Sequence, residues 1–82
     1  MDLFEKIKVK IETALQGAIV EVRSERSQHI GHGAGGAHVG VKVIYDGFKD
    51  KSMVEQHQMI YTILKDEMKQ EIHSLQIETR LE

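Results

Sequence analysis

The chain contains no cysteine, no proline and no tryptophan among its 82 residues. Without cysteine it can form no disulfide, no thiolate zinc finger and no iron–sulfur site held by its own ligands alone. No apolar run approaches the ~18 residues that span a bilayer, and the first residues carry neither a basic nor an apolar leader region. We therefore expect a cytoplasmic protein that contacts no membrane. The mitochondrial matrix is the other expected location if a transit peptide has been removed.

An excess of charge of either sign is also lacking. The sequence has 11 lysines and arginines against 13 acidic residues, so the formal net charge is −2. Sequence-independent nucleic-acid binding depends on clustered basic residues, and neither half of the chain has an excess of them. A length of 82 residues with 40% apolar side chains suffices for one small domain with a compact core. We expect residues 1–82 to form a single domain.

Two capping patterns mark the starts of predicted helices. Asp2 and Ser52 each precede a glutamate by three positions, a spacing in which the two side chains cap backbone amides of a first helical turn. Apolar residues then recur at helical spacing over about 2–16 and over about 52–71. The second region is predicted to break near its end.

Alternating apolar and polar residues predict three strands, centred on Val20, Val41 and Ile77. The resulting order is α-β-β-α-(α)-β, an α+β domain with a three-stranded sheet and helices on one face. The opposite face of the sheet is expected to be polar. Between the first two strands, residues 25–37 hold four glycines and two histidines. A loop of this length inside a small domain is often functional.

The histidines are the residues with the most informative chemistry, because imidazole is a common metal ligand that titrates near neutral pH. His29 and His32 lie in the glycine-rich loop, and His73 lies where a helix gives way to the last strand. The residues alone leave other interpretations open. His73 fits a cation stabilised at a helix C-terminus, and the loop histidines fit solvated residues without a role. For His38 we predict a structural role with a hydrogen bond to loop backbone, and for His57 a core or rim position.

Catalytic residues are scarce in this sequence. There is no cysteine nucleophile, and the serines fit capping or loop positions. The pair Asp66-Glu67 is interpreted as solvated and not as an acid–base dyad. The glycine-rich loop lacks the spacing of a phosphate-binding motif. We predict that the protein is not an enzyme and has no small-molecule substrate.

The chain resembles the BolA family over essentially its whole length, and the specific motifs lie in its second half. The resemblance lies in the run Gly47-Phe-Lys-Asp-Lys-Ser-Met-Val-Glu-Gln-His-Gln-Met-Ile-Tyr-Thr-Ile-Leu-Lys-Asp-Glu-Met68 and in the later run Ile72-His-Ser-Leu-Gln-Ile-Glu-Thr79. It implies a class-II KH-like fold of order α-β-β-α-α-β. It also implies a non-enzymatic partner of a monothiol glutaredoxin, with a role in iron–sulfur cluster assembly, trafficking or iron sensing.

The resemblance further implies a site and a cofactor. The cofactor is a [2Fe–2S] cluster shared with glutaredoxin and glutathione, with His73 as one ligand from this chain and His29, or His32 in its place, as the second. The last strand and the helix before it are expected to form the docking surface. The expected partner contacts are His73, Lys69, Phe48 and Lys51.

The alternative function that the resemblance implies is a DNA-binding transcriptional regulator of the BolA type. The sequence departs from two motifs of the family, and the first departure bears on this alternative. The common Arg-His-Arg of the family helix is Gln56-His57-Gln58 here, and the Thr/Ser-His-Phe of the second strand is Ala37-His38-Val39. The missing arginines weaken the DNA-binding alternative, because arginine is the preferred partner of phosphate and guanine.

Overall fold

A computed structural model describes residues 2–25 and 36–81 of the chain. The elements in order are α1 (Leu3–Ala14), β1 (Ile19–Ser24), β2 (Ala37–Ile44), a 3-10 turn (Asp46–Phe48), α2 (Met53–Ile63), α3 (Lys65–Gln70) and β3 (Ile72–Arg80). The predicted α+β order with a divided second helical region is confirmed. In the described ranges, none of the helices has the length and apolar character needed to cross a membrane.

Helices α1 and α2 begin where the capping patterns predict. The Ser52 side chain accepts a hydrogen bond from the Glu55 amide, while the Glu55 carboxylate accepts one from the Ser52 amide. At the start of α1, the Asp2 carboxylate accepts a hydrogen bond from the Glu5 amide at 2.8 Å. Gly17, at φ +89°, follows the end of α1 in the left-handed conformation that glycine adopts freely.

The three strands form one mixed sheet in the order β1-β2-β3. β1 pairs antiparallel with β2, and β3 pairs parallel with β2. A parallel neighbour requires a crossover connection, and α2 and α3 provide it. Glu21 and Glu78 are both register partners of Lys42, so the row they form crosses the face of the sheet that was predicted to be polar.

The opposite face of the sheet packs against the helices and forms the core. Alternate residues of β2 are fully buried there because strand side chains point to opposite faces with a period of two. The buried apolar side chains come from α1 and its end, all three strands, the 3-10 turn, and α2 with the residue that ends it. They are Ile7, Ile11, Leu15, Val20, Val39, Val41, Val43, Phe48, Ile60, Leu64 and Ile72.

The prediction that Asp66-Glu67 is a solvated pair is wrong for Glu67, whose side chain is 3% exposed. Both carboxylate oxygens accept hydrogen bonds from the Lys10 ammonium, at 2.9 and 3.0 Å, and the Lys6 ammonium lies 3.8 Å away. A helix of six residues is too short for its periodicity to reveal which side faces the core. Burial acts to raise the pKa of Glu67, but hydrogen bonds from Lys10 and from backbone, together with the lysine charges, outweigh it and hold that pKa below its ordinary value.

This ion pair generates a prediction about stability and pH. Because the pKa of Glu67 is lower in the folded chain than in the unfolded one, the carboxylate stabilises the fold fully above its ordinary pKa. That stabilisation is lost as the pH falls through the folded pKa. Glu67→Gln should lower the free energy of unfolding at pH 7 by about 1–3 kcal/mol. It should also make stability less dependent on pH on the acid side.

Urea denaturation of both proteins at a series of pH values measures the effect. Asp66→Asn is the matched control, because it changes the neighbouring exposed carboxylate and should alter stability by no more than about 0.5 kcal/mol. If Glu67→Gln and Asp66→Asn lowered the free energy of unfolding equally at neutral pH, a stabilising role for the contact between Lys10 and Glu67 would be contradicted.

Candidate functional site

His73 lies at the start of β3 with its side chain exposed. Its position follows from an irregularity in the pairing of β2 with β3. Ala37 pairs with Ile72 while His38 pairs with Ser74, so His73 is an extra residue between two paired positions. Such irregularities redirect a side chain. Ile72 therefore stays in the core, and the next residue presents its imidazole outside it.

His38 lies beside His73. The two ring centroids are 5.0 Å apart, with an angle of 62° between the ring planes. His38 Nδ1 is 2.7 Å from the Ser74 hydroxyl oxygen. The predicted structural role therefore involves a hydrogen bond to a side chain on β3, where we had expected loop backbone. Ser74 was predicted to be a capping or loop residue, and its partnership with His38 depends on strand register that the sequence does not display.

Gly36 packs directly against the backbone of His73. A β-carbon at this glycine would lie 3.0 Å from the His73 amide nitrogen and 3.1 Å from its β-carbon, closer than side chains normally approach. Gly36 also has φ +94°, which disfavours other residues. On the other side, the Glu25 amide donates to the His38 carbonyl at 2.7 Å. The residues on both sides of 26–35 thus lie at the His73 end of the sheet.

The predicted loop ligands His29 and His32 lie outside the described residues, so their assignment stays a prediction. Most of the predicted glycine and histidine loop, 25–37, falls there as well. Within the ranges 2–25 and 36–81, no group of three or more histidine, cysteine or acidic side chains is arranged to hold a metal ion. The described part of the site is therefore the pair His38 and His73.

The expected partner contacts do not form one surface. Lys69 is exposed near the end of α3, four residues before His73. Phe48 is 1% exposed, so its side chain belongs to the core. Lys51 follows the end of β2. Because β2 and β3 run parallel, the end of β2 lies beside Arg80 at the end of β3. Arg80 is seven residues after His73 along β3, which is roughly 23 Å at about 3.3 Å per residue.

His57 is half-buried on α2, which agrees with the predicted core or rim position. Its Nε2 atom is buried and has no hydrogen-bond partner among the described residues. The neighbouring Gln56 accepts a hydrogen bond from the Thr79 hydroxyl at 2.5 Å. That bond places this part of α2 near the end of β3 that is remote from His73.

Comparison with known proteins gives consistent results. A family model described as BolA-like protein matches residues 11–82. The chloroplastic/mitochondrial SufE-like protein 1 of Arabidopsis thaliana is 35% identical over an alignment of 80 positions, which covers 88% of this chain and 22% of that protein. The chain thus spans less than a quarter of that relative. The DNA-binding transcriptional regulator BolA of Escherichia coli is 29% identical over 79 residues, 96% of this chain and 75% of the regulator.

Solved structures match over nearly the whole chain. The BolA domain of SufE1 from Arabidopsis thaliana superposes with a TM-score of 0.84 at 32% sequence identity. The match covers 99% of this chain and 93% of that domain. The folded unit seen here therefore corresponds to nearly the whole of that domain.

The close approach at Gly36 predicts a specific effect of adding one methyl group. Gly36→Ala should be destabilised by a strained left-handed backbone, about 1–3 kcal/mol, and additionally by the clash with His73. Gly17→Ala is the matched control. Gly17 has a similar φ of +89°, but a β-carbon there would meet no atom within 4 Å.

Thermal or urea unfolding gives the stability difference, and NMR spectra of the imidazole groups report on His73. We expect Gly36→Ala to lose more stability than Gly17→Ala and to shift the His73 resonances, while the control leaves them in place. Identical behaviour of the two variants would mean that the packing of Gly36 on His73 does not matter in solution.

Proposed function

The chain belongs to the BolA-like protein family, and on that basis we propose that it is a non-enzymatic partner of a monothiol glutaredoxin with which it shares a [2Fe–2S] cluster. Its role would lie in iron–sulfur cluster assembly, trafficking or iron sensing. The observation that carries the proposal is the exposed imidazole of His73, presented by a pairing irregularity at the start of β3.

The donor set of the chain fits a shared cluster and no self-contained one. The whole sequence lacks cysteine, and the described residues include no group of three candidate ligands. Histidine can replace cysteine on one iron of a [2Fe–2S] cluster, as it does in Rieske centres. A chain of this kind can therefore complete a cluster whose thiolates come from glutaredoxin and glutathione. His73 is our first ligand from this chain.

The second ligand is proposed from the segment between β1 and β2. His29 follows Glu25 by four residues, and His32 precedes Gly36 by four residues. Four residues of chain span at most roughly 14 Å, and both Glu25 and Gly36 lie at the His73 end of the sheet. Chain connectivity thus allows either histidine to act with His73. We propose His29, with His32 as the alternative.

The bound cluster would supply a one-electron redox centre and a transferable iron–sulfur unit. The contribution of this chain is to hold a neutral imidazole at a fixed place. Imidazole must be deprotonated to bind metal, so acid should weaken the chain's hold on the cluster. Gly36 supports the His73 backbone, and the end of α3 with exposed Lys69 provides protein surface next to the ligand for a docking partner.

The alternative function is DNA binding, which is supported by the name of the Escherichia coli relative, a DNA-binding transcriptional regulator. The charges of the described surface favour it less. Arg23 pairs with Glu25 and Arg80 with Glu78 on the polar face of the sheet. Paired basic side chains present a weaker positive field to phosphates than unpaired ones.

The proposal predicts that His73→Ala abolishes the shared cluster. The protein should be co-purified with a monothiol glutaredoxin and glutathione without oxygen, and visible absorption and circular dichroism recorded. The wild-type pair should give a spectrum distinct from that of the glutaredoxin homodimer, and the variant should give only the homodimer spectrum. His29→Ala and His32→Ala identify the second ligand by the same measurement.

Lys49→Ala is the control, because this exposed lysine ends the 3-10 turn that follows the end of β2 remote from His73. It should retain the mixed spectrum. An unchanged spectrum in His73→Ala would remove the ligand assignment. Failure of the wild-type chain to form any mixed species would remove the glutaredoxin role, and duplex DNA binding across a range of salt concentrations would then be measured.

A further inference from the structure

We propose that His38 and His73 together form a binding site for a single divalent transition-metal ion of the Zn²⁺ type, which the isolated chain binds without a partner. The proposal does not rest on the shared cluster, although both would use His73. The ion site differs from the cluster site in two ways. Its second imidazole is His38, which lies within the described part of the chain, and what it binds is a single metal ion instead of a cluster.

The spacing of the two rings is the first argument. Their centroids are 5.0 Å apart, and the ring planes meet at 62°. Two imidazoles that bind one tetrahedral zinc ion at about 2.0–2.1 Å place their ring centroids roughly 5 Å apart. The separation in this structure therefore already suits two ligands of one ion. Rings stacked face to face would be too close to hold an ion between their nitrogens.

The hydrogen bond of His38 is the second argument. Its Nδ1 lies 2.7 Å from the Ser74 hydroxyl oxygen. When Nδ1–H donates to that oxygen, Nε2 carries the lone pair that a metal ion requires. Histidine ligands in proteins are commonly held in this way, with the second ring nitrogen bonded to a group outside the metal's own ligands. Ser74 would therefore select the ligating tautomer and fix the ring orientation.

Both histidines belong to strands that pair with each other, His38 to β2 and His73 to β3. His38 is held on β2 by the hydrogen bond from the Glu25 amide at 2.7 Å, and Ser74 is its register partner on β3. His73 is exposed and His38 half-buried, so an ion can reach the pair from solvent. Water would complete the coordination, since the described residues offer no third histidine, cysteine or carboxylate ligand.

The identity of the ion follows from the donor atoms. Imidazole ligands suit zinc, copper and nickel, whereas magnesium and calcium require oxygen ligands. An ion held by His73 would also compete with a shared cluster for the same imidazole. The two kinds of metal centre would therefore exclude each other on this chain.

The test is a Zn²⁺ titration of the isolated full-length chain, followed by NMR of the imidazole groups. We expect the His38 and His73 resonances to move together and to saturate at one ion per chain, while those of His57 stay in place. His73→Ala and His38→Phe should each weaken binding at least about tenfold, and Ser74→Ala by roughly tenfold.

The variant His38→Phe keeps an aromatic ring against His73 but removes the ligand, so it separates ring packing from metal binding. The double variant His29→Ala/His32→Ala should bind Zn²⁺ as the wild type does. Wild-type affinity in His38→Phe, or loss of binding in the double variant, would overturn the proposal. The titration contains no glutaredoxin, so its outcome is independent of whether a shared cluster forms.

Discussion

The parallel pairing of β2 with β3 is the interaction on which the rest of this structure depends. It places the first residues of both strands side by side. The irregularity between Ala37 and His38 leaves His73 without a pairing partner on β2. The core is preserved because Ile72 still faces inward. The chain can therefore expose an imidazole next to His38 without disturbing the packing beneath it.

Ionic contacts between α1 and α3 hold the junction from which β3 starts. Lys10 binds the buried carboxylate of Glu67, and Lys6 donates to the Glu71 carboxylate at 2.8 Å. The carbonyl of Glu71 accepts a hydrogen bond from the Ala37 amide at 2.9 Å. A helix of six residues has little stability of its own. Its docking on α1 by charge and by burial thus helps to fix the position of the start of β3, where Ile72 and His73 lie.

The chemistry available to this chain is that of a protein with imidazoles and without thiols. Such a chain can complete a metal centre that a partner begins, or hold a lone ion weakly with the help of water. In both cases the ligand from this chain is a neutral imidazole, and protonation of the imidazole releases the metal. The proposed shared cluster would therefore suit transfer and sensing better than permanent storage.

The sequence by itself determined the order of the elements and the helix starts at Asp2 and Ser52, because capping and periodicity are local properties of the chain. His73 was singled out through the family resemblance, and its role as a ligand stays a prediction. Only the tertiary structure decided that Glu67 is buried and that Ser74 holds His38. It also separated Phe48 and Lys51 from His73. These relations join residues that are distant in sequence, and they depend on strand direction and register, which local patterns do not encode.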